Sequence, residues 1–276
     1  LSNALKDTDV VFIGEYHGNH ASHWLQAQLQ AGLYRGRPQQ ILSLEQFSTD
    51  KQAELDQYLK GEIGEVALLK KAKAWPNYKA SYRPLVEFAK QRELPVIAAN
   101  APVDIVRCIG RQGESYLEKL NPRQRQLLAD DAFLNDEKYQ AAFQKIMHVP
   151  SSPAQKGKSQ LSNSYLAQLS RDNTIAESLL RAIQLKTKHT IIHINGAIHS
   201  DSGLGTVALL KQREPNLKVA VISPVRLDSK VIESIPFGKG DYVYLAQAQP
   251  EQYASDAERS AAFKSLFSKA GLNVCE

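Results

Sequence analysis

The sequence predicts an α/β fold: a mainly parallel β-sheet flanked by helices, with a smaller helical subdomain. Three observations carry that prediction. Short apolar runs recur at residues 10–13, 41–44, 94–99, 190–194 and 219–222, as suits strands buried on both faces. Segments with helical periodicity separate the first three runs and the last two. Between residues 102 and 186 strand signal is almost absent, while helical signal continues. The expected division is therefore a sheet domain of residues 1–101 and 187–276, with 102–186 inserted as the helical subdomain.

In chain order, the run at 10–13 ends at Gly14, and a helix follows from about 19 to 34. Asn19 suits its N-cap, and Trp24, Leu25, Gln28, Leu29 and Leu33 suit its apolar stripe. The second strand, 41–44, ends at Glu45. Helices are expected at about 51–60 and 63–74, where Trp75 and Pro76 break the pattern, and at 82–92, with Pro84 in the first turn. The third strand ends at Asn100, Ala101 and Pro102. Helical segments 102–110, 123–130, 136–147 and 161–186 follow, with a loop at 149–159. Tyr165, Gln168, Asp172, Ala176 and Leu179 lie near one face of the last of them. Strand four leads into Asn195, Gly196, Ala197, Ile198 and His199. Strand five follows a helix ending near Arg213, and 242–246 suits an edge strand.

In parallel sheets ligands sit beyond the carboxyl ends of the strands. Glu15 and His17 follow strand one, Glu45 strand two, Asn100 strand three, and Asn195 and His199 strand four. Two Gly-x-x-His segments, Gly14–His17 and Gly196–His199, both stand at strand ends. One edge of the sheet could thus gather two carboxylates, two imidazoles and two amides. Glu and His serve as acid–base groups and as ligands for a divalent metal, and Glu15, His17 and His199 are the candidate metal set. The alternative is a structural network of ion pairs and caps. His20 and His23 read as solvated residues at a helix N-terminus, and His193 as a satisfied core or edge histidine. Arg107 reads either as an anion-binding residue or as half of a salt bridge.

The 276 residues suffice for one large domain or one domain with an insertion. Hydrophobic content of 43% and charged content of 23% are ordinary for a globular chain. No apolar run approaches the roughly 18 residues of a membrane helix. The net charge of +5 is mild and spread over both halves, which argues against a nucleic-acid partner. Cys108 and Cys275 form no C-x-x-C motif, and Cys108 reads as a buried packing residue, so the redox compartment stays open. The chain starts at Leu1, and the expectation is a trimmed form from which a signal or lipidation sequence was removed. There is no G-x-S-x-G elbow, no phosphate-binding glycine loop and no H-E-x-x-H, which argues against serine hydrolase and nucleotide chemistry.

Six segments together resemble the ChaN-like haem-binding lipoproteins, within the superfamily that includes the erythromycin esterases and the Tiki proteases. They are F-I-G-E-Y-H at 12–17, L-S-L-E-Q-F at 42–47, Y-R-P-L-V-E-F-A at 82–89, P-V-I-A-A-N-A-P at 95–102, A-Q-L-S-R-D-N-T-I-A at 167–176 and N-G-A-I-H at 195–199. The resemblance implies non-covalent haem binding, a homodimer around haem, and iron or haem acquisition at a bacterial outer membrane through a lipid anchor. It further implies a tyrosine as iron ligand, supported by a histidine of the partner subunit. Tyr139 and His148 are the candidates, with Tyr165 as runner-up. The wider superfamily implies a second activity, a metal-dependent or acid–base hydrolase using Glu15, His17, Glu45 and His199, here working or vestigial.

Overall fold

The computed structural model describes residues 1–146, 162–186, 188–227, 235–270 and 275. Its sheet contains β1 (Val10–Glu15), β2 (Gln40–Ser48), β3 (Val96–Asn100), β4 (Thr190–Gly196), β5 (Val219–Leu227) and β6 (Tyr242–Gln247). The order is β3-β2-β4-β1-β5-β6, and every neighbouring pair is parallel. The expected α/β fold with a parallel sheet is therefore present. Strand β4 inserts between β2 and β1, although it comes late in the chain. Its register pairs Gly14 with Asn195 and Glu15 with Gly196, so the two Gly-x-x-His segments lie side by side.

Helices cover both faces. Strand residues alternate between them, as the twofold side-chain period requires. Val11, Ile13, Leu42 and Leu44 share a core with α1 (His20–Gly36), α2 (Gln52–Leu59), α3 (Glu65–Lys71), α4 (Tyr78–Ser81) and α5 (Arg83–Gln91). Val10, Phe12, Ile41 and Ile191 face the other way. The helices α6 (Val103–Gln112), α7 (Pro122–Arg125), α8 (Glu137–Ile146), α9 (Asn163–Leu185) and α10 (Thr206–Arg213) follow in the chain. Of these, α8, α9 and α10 supply the core on that second face. Helix α6 packs with α9 over a third, smaller core. A last helix, α11 (Asp256–Ala270), was not anticipated from the sequence. No helix among the described residues is long and apolar enough to cross a membrane.

Three local expectations are corrected. Strand β2 runs on to Ser48, so Glu45 lies inside it, between Leu44 and Ser48 where the pairing with β3 shifts register. Asn19 caps α1 as expected, accepting from the Ala21 and Ser22 amides at 3.0 and 3.2 Å. The inward face of α1, however, is largely polar: Ser22, His23, Gln26 and Gln30 are buried, whereas Trp24 is 69% exposed. A helix that covers a buried carboxylate must turn donors toward it. Finally, Cys108 is buried as expected, but it is also bonded to Cys275, with Cα atoms 5.5 Å apart.

That disulfide joins α6 to a point 167 residues further along the chain. Closing so long a loop removes entropy mainly from the unfolded state. Cys275→Ser is expected to lower unfolding free energy by about 2–4 kcal/mol, measured by urea denaturation without reductant. An unchanged midpoint would contradict this.

Candidate functional site

The site grows from the glycine at the end of β4. A Cβ on Gly196 would stand 2.7 Å from His17 Nε2 and 3.6 Å from Glu45 Oε2. Only glycine leaves room for the His17 ring over the sheet edge. The glycine of the second Gly-x-x-His segment therefore makes space for the histidine of the first.

On the α1 side, Glu15 is buried and fully engaged. Its Oε1 accepts from the Tyr82 hydroxyl at 2.5 Å and lies 2.8 Å from His17 Nδ1. Its Oε2 accepts from Gln26 Nε2 at 2.6 Å and lies 3.4 Å from His23 Nδ1. Gln26 in turn presents Oε1 to His23 Nδ1 at 3.1 Å. Burial alone would raise the Glu15 pKa; the hydrogen bonds from His17 and His23 outweigh it and lower the pKa to about 2. Glu15 is thus an anion at neutral pH with both oxygens engaged. It orients His17, whose side chain remains 45% exposed and whose ring meets Trp75 edge-on at 5.0 Å. Burial lowers the His17 pKa, and the Glu15 hydrogen bond and the Glu45 charge more than reverse this, so it is raised.

On the α9 side, Glu45 Oε2 accepts the Gly196 amide at 2.6 Å, and Oε1 lies 3.4 Å from His199 Nε2. His199 Nδ1 bonds Asp172 Oδ1 at 2.6 Å. Asp172 is saturated like Glu15: Thr206 also donates to Oδ1 at 2.6 Å, and Tyr139 and Gln168 donate to Oδ2 at 2.7 and 3.0 Å. Burial lowers the His199 pKa, but the carboxylates of Glu45 and Asp172 prevail and raise it to about 10, so the ring is a cation at neutral pH. Burial likewise works against the Glu45 charge, and His199 beside it holds its pKa well below the carboxylate range.

The structure therefore brings together Glu15, His17, Glu45 and His199. Asn100 joins them, its Nδ2 donating to the Glu45 carbonyl at 3.1 Å. Asn195 is buried nearby but holds Ser200 and the Gly196 carbonyl. Glu15, His17 and His199 do not converge as a metal-ligand set. Among the described residues no group of three or more His, Cys, Asp or Glu side chains does so. The reason is visible in Glu15, whose oxygens are spent on N–H and O–H donors. His20 is exposed as expected, whereas His23 is buried against Glu15 rather than solvated. His193 is buried with Nδ1 2.9 Å from Ser43 Oγ, and burial pushes its pKa down to about 3, so it is neutral. Arg107 is half of an exposed pair with Asp104.

The haem-ligand candidates are placed differently from expectation. Tyr139 is 2% exposed and donates to Asp172; Tyr165 is 1% exposed and donates to Asn135 Oδ1 at 2.8 Å. Burial raises both phenol pKa values, opposing the phenolate an iron ligand needs. Neither oxygen fits an axial haem position in this arrangement, because each is enclosed and committed. His148 lies outside the described residues. An apolar cavity of about 490 Å³ lies between α2, α9 and the β3 edge, and among the described residues no tyrosine or histidine lines it. Sequence reasoning missed Tyr82, Gln26, Asp172 and Trp75 as parts of the site. For Asp172 the signal was a lone acid among apolar positions on α9; for Trp75, an aromatic at a helix break.

A family model described as "Haem-binding uptake, Tiki superfamily, ChaN" matches residues 1–210. The chain belongs to that family. Among solved structures, ChaN of Campylobacter jejuni, described with cofacial haem binding, aligns with a TM-score of 0.63 at 17% identity, covering 88% of this chain and 89% of that one. A mutant of the erythromycin esterase EreC in its open conformation aligns with a TM-score of 0.51 at 13% identity, covering 83% of this chain and 72% of that one. At these identities the structures establish a shared fold. No curated protein matches the chain in sequence. The family's description names haem and is silent on the Glu–His chain at the sheet edge.

His199 has its pKa raised above the ordinary 6.5, so its stabilisation is complete below 6.5 and is lost as pH rises toward 10. Unfolding free energy is expected to fall across that window, and His199→Gln is expected to flatten the slope. The substitution leaves Glu45 and Asp172 without their cation and should cost roughly 3 kcal/mol at pH 6.5. Urea denaturation at pH 6.5 and 10 measures both; equal slopes in parent and variant would refute the assignment.

Proposed function

We propose that the chain binds haem non-covalently between two copies of itself, in iron or haem acquisition at a bacterial outer membrane. The observation that carries this reading is the family match over residues 1–210. The description of the Campylobacter jejuni protein supports a haem-centred assembly. The Cys108–Cys275 disulfide supports an oxidising compartment, as the cell envelope offers. When bound, haem supplies iron as the cargo or redox centre. This chain would enclose it and supply a ligand to its iron, and neither Tyr139 nor Tyr165 is open to do so. Titration with haemin is expected to give a saturable Soret band, with sedimentation shifting from one copy to two. A flat titration at micromolar haemin removes the reading. The haem spectrum is expected to be unchanged in Tyr139→Phe and Tyr165→Phe; a changed spectrum in either would restore that residue as ligand.

A second reading, an acid–base hydrolase at the sheet edge, is favoured by one observation: His17 is held at Nδ1 by a saturated carboxylate while its ring stays partly open. That is the posture of a general base. A water placed beside His17 would give its proton to the ring as its oxygen attacks an ester or amide carbonyl, and the ring would pass that proton to the alcohol or amine that leaves as the C–O or C–N bond breaks. The His199 cation would stabilise charge on Glu45. His17→Gln is expected to lower hydrolysis of an ester or peptide panel by about 10²-fold or more, on the order expected for acid–base groups. Absence of turnover by the parent across that panel would leave the pocket structural.

A further inference from the structure

We propose that Arg171 anchors a ligand carboxylate in the cleft beside Glu45 and Asn100. Arg171 neighbours Asp172 on α9. While Asp172 holds His199, Arg171 lines a cleft of about 160 Å³ at the carboxyl edge of the sheet. Glu45, Asn100, Trp75, Ala101 and Val103 share its wall.

Arg171 is poorly satisfied by the chain. A guanidinium has five N–H donors in a planar fork. The hydrogen bond it makes runs from Nη1 to Asn100 Oδ1 at 3.5 Å, the outer limit of such a bond. Asn100 is turned that way because its Nδ2 is committed to the Glu45 carbonyl. The other charges of the cleft are matched. Lys51 pairs with Asp50 at 3.0 Å, and Asp104 pairs with Lys73 and Arg107 at 3.7 and 3.6 Å. The Glu45 oxygens are taken by His199 and the Gly196 amide. Among the described residues no carboxylate lies within ion-pair distance of Arg171. The charges of Glu45 and Asp172 act on Arg171 through space, but neither gives its fork an acceptor, and buried donors left without acceptors cost free energy that an incoming anion recovers.

A carboxylate fits the fork bidentately and restores the missing acceptors. The apolar wall of Trp75, Ala101 and Val103 suits a short hydrocarbon body on that carboxylate. The same chemistry has two sources, a haem propionate and a small organic acid. Both would lie beside Glu45, within reach of the hydrolytic reading's reacting groups. The cleft and its cation are present whichever reading of the function holds.

The test uses the whole chain and two probes. Haemin and haemin dimethyl ester are titrated against the parent, Arg171→Lys and Arg171→Met. Succinate is tested for protection of Arg171 from phenylglyoxal in the unaltered protein, with the modified residue located by mass spectrometry. If a propionate is the ligand group, the ester binds the parent at least tenfold more weakly than haemin, and Arg171→Met abolishes the difference. If a small acid is the ligand, succinate protects Arg171 saturably while haemin and its ester bind alike or not at all. Failure of haemin to bind therefore ends the haem reading without touching the succinate result. If the ester matches haemin and succinate leaves the modification rate of Arg171 unchanged, the proposal is overturned. The footprint needs no variant, so a poorly folding Arg171→Met does not decide the outcome.

Discussion

Ionisable side chains buried at the carboxyl edge of this sheet survive because opposite charges and donors alternate along them. Glu15, His17, Glu45, His199 and Asp172 form one line that crosses from one face of the sheet to the other. The strand period puts Glu15 on the α1 side and Glu45 on the α9 side, and His17 spans the gap over Gly196. A carboxylate taken from water into such surroundings without partners would be protonated or would unfold its site. Much else follows from this. Helix α1 turns polar residues inward, the junction of α4 and α5 brings Tyr82, and α9 and α10 bring Asp172 and Thr206 to finish the far end.

The ends of the line and its middle differ in what they can do chemically. Glu15 and Asp172 have their oxygens filled by donors, and they serve to orient histidines. Glu45 and His17 stand at the middle, where Glu45 lines the cleft and the His17 ring stays partly exposed. Saturated outer groups around less saturated inner ones are the arrangement that holds a reacting group in register. Tyr139 belongs to this support as well, since its hydroxyl is one of the donors that keep Asp172 charged. Removing it from the haem question adds it to the histidine question.

Family membership and local geometry thus speak about different parts of the molecule. The family carries haem, while the sheet edge carries an acid–base arrangement with an arginine beside it. A single chain can hold both, since fold and family do not restrict a scaffold to one site. The disulfide between α6 and Cys275 ties the C-terminal end to the wall of the helices that bear Arg171 and Asp172, which favours a fixed cleft.

The sequence by itself determined the strands, their parallel arrangement and the residues at their ends. Uninterrupted apolar runs can be buried only between two helical layers, and polar residues just past them can go only to the sheet edge. Gly14, Glu15, His17, Asn100, Gly196 and His199 were legible for that reason. Tertiary structure alone decided the rest. The insertion of β4 between β2 and β1 set the two histidine segments side by side, and no local signal encodes strand order. Asp172, Tyr82 and Gln26 reach the site from helices whose rotation about their axes depends on what they cover. Tyr139 and Tyr165 were candidates through the family resemblance and their place in the helical middle of the chain, but packing enclosed them. Cys108 and Cys275 met across 167 residues for the same reason: contacts between distant segments are settled by the assembled core, and sequence spacing does not carry them.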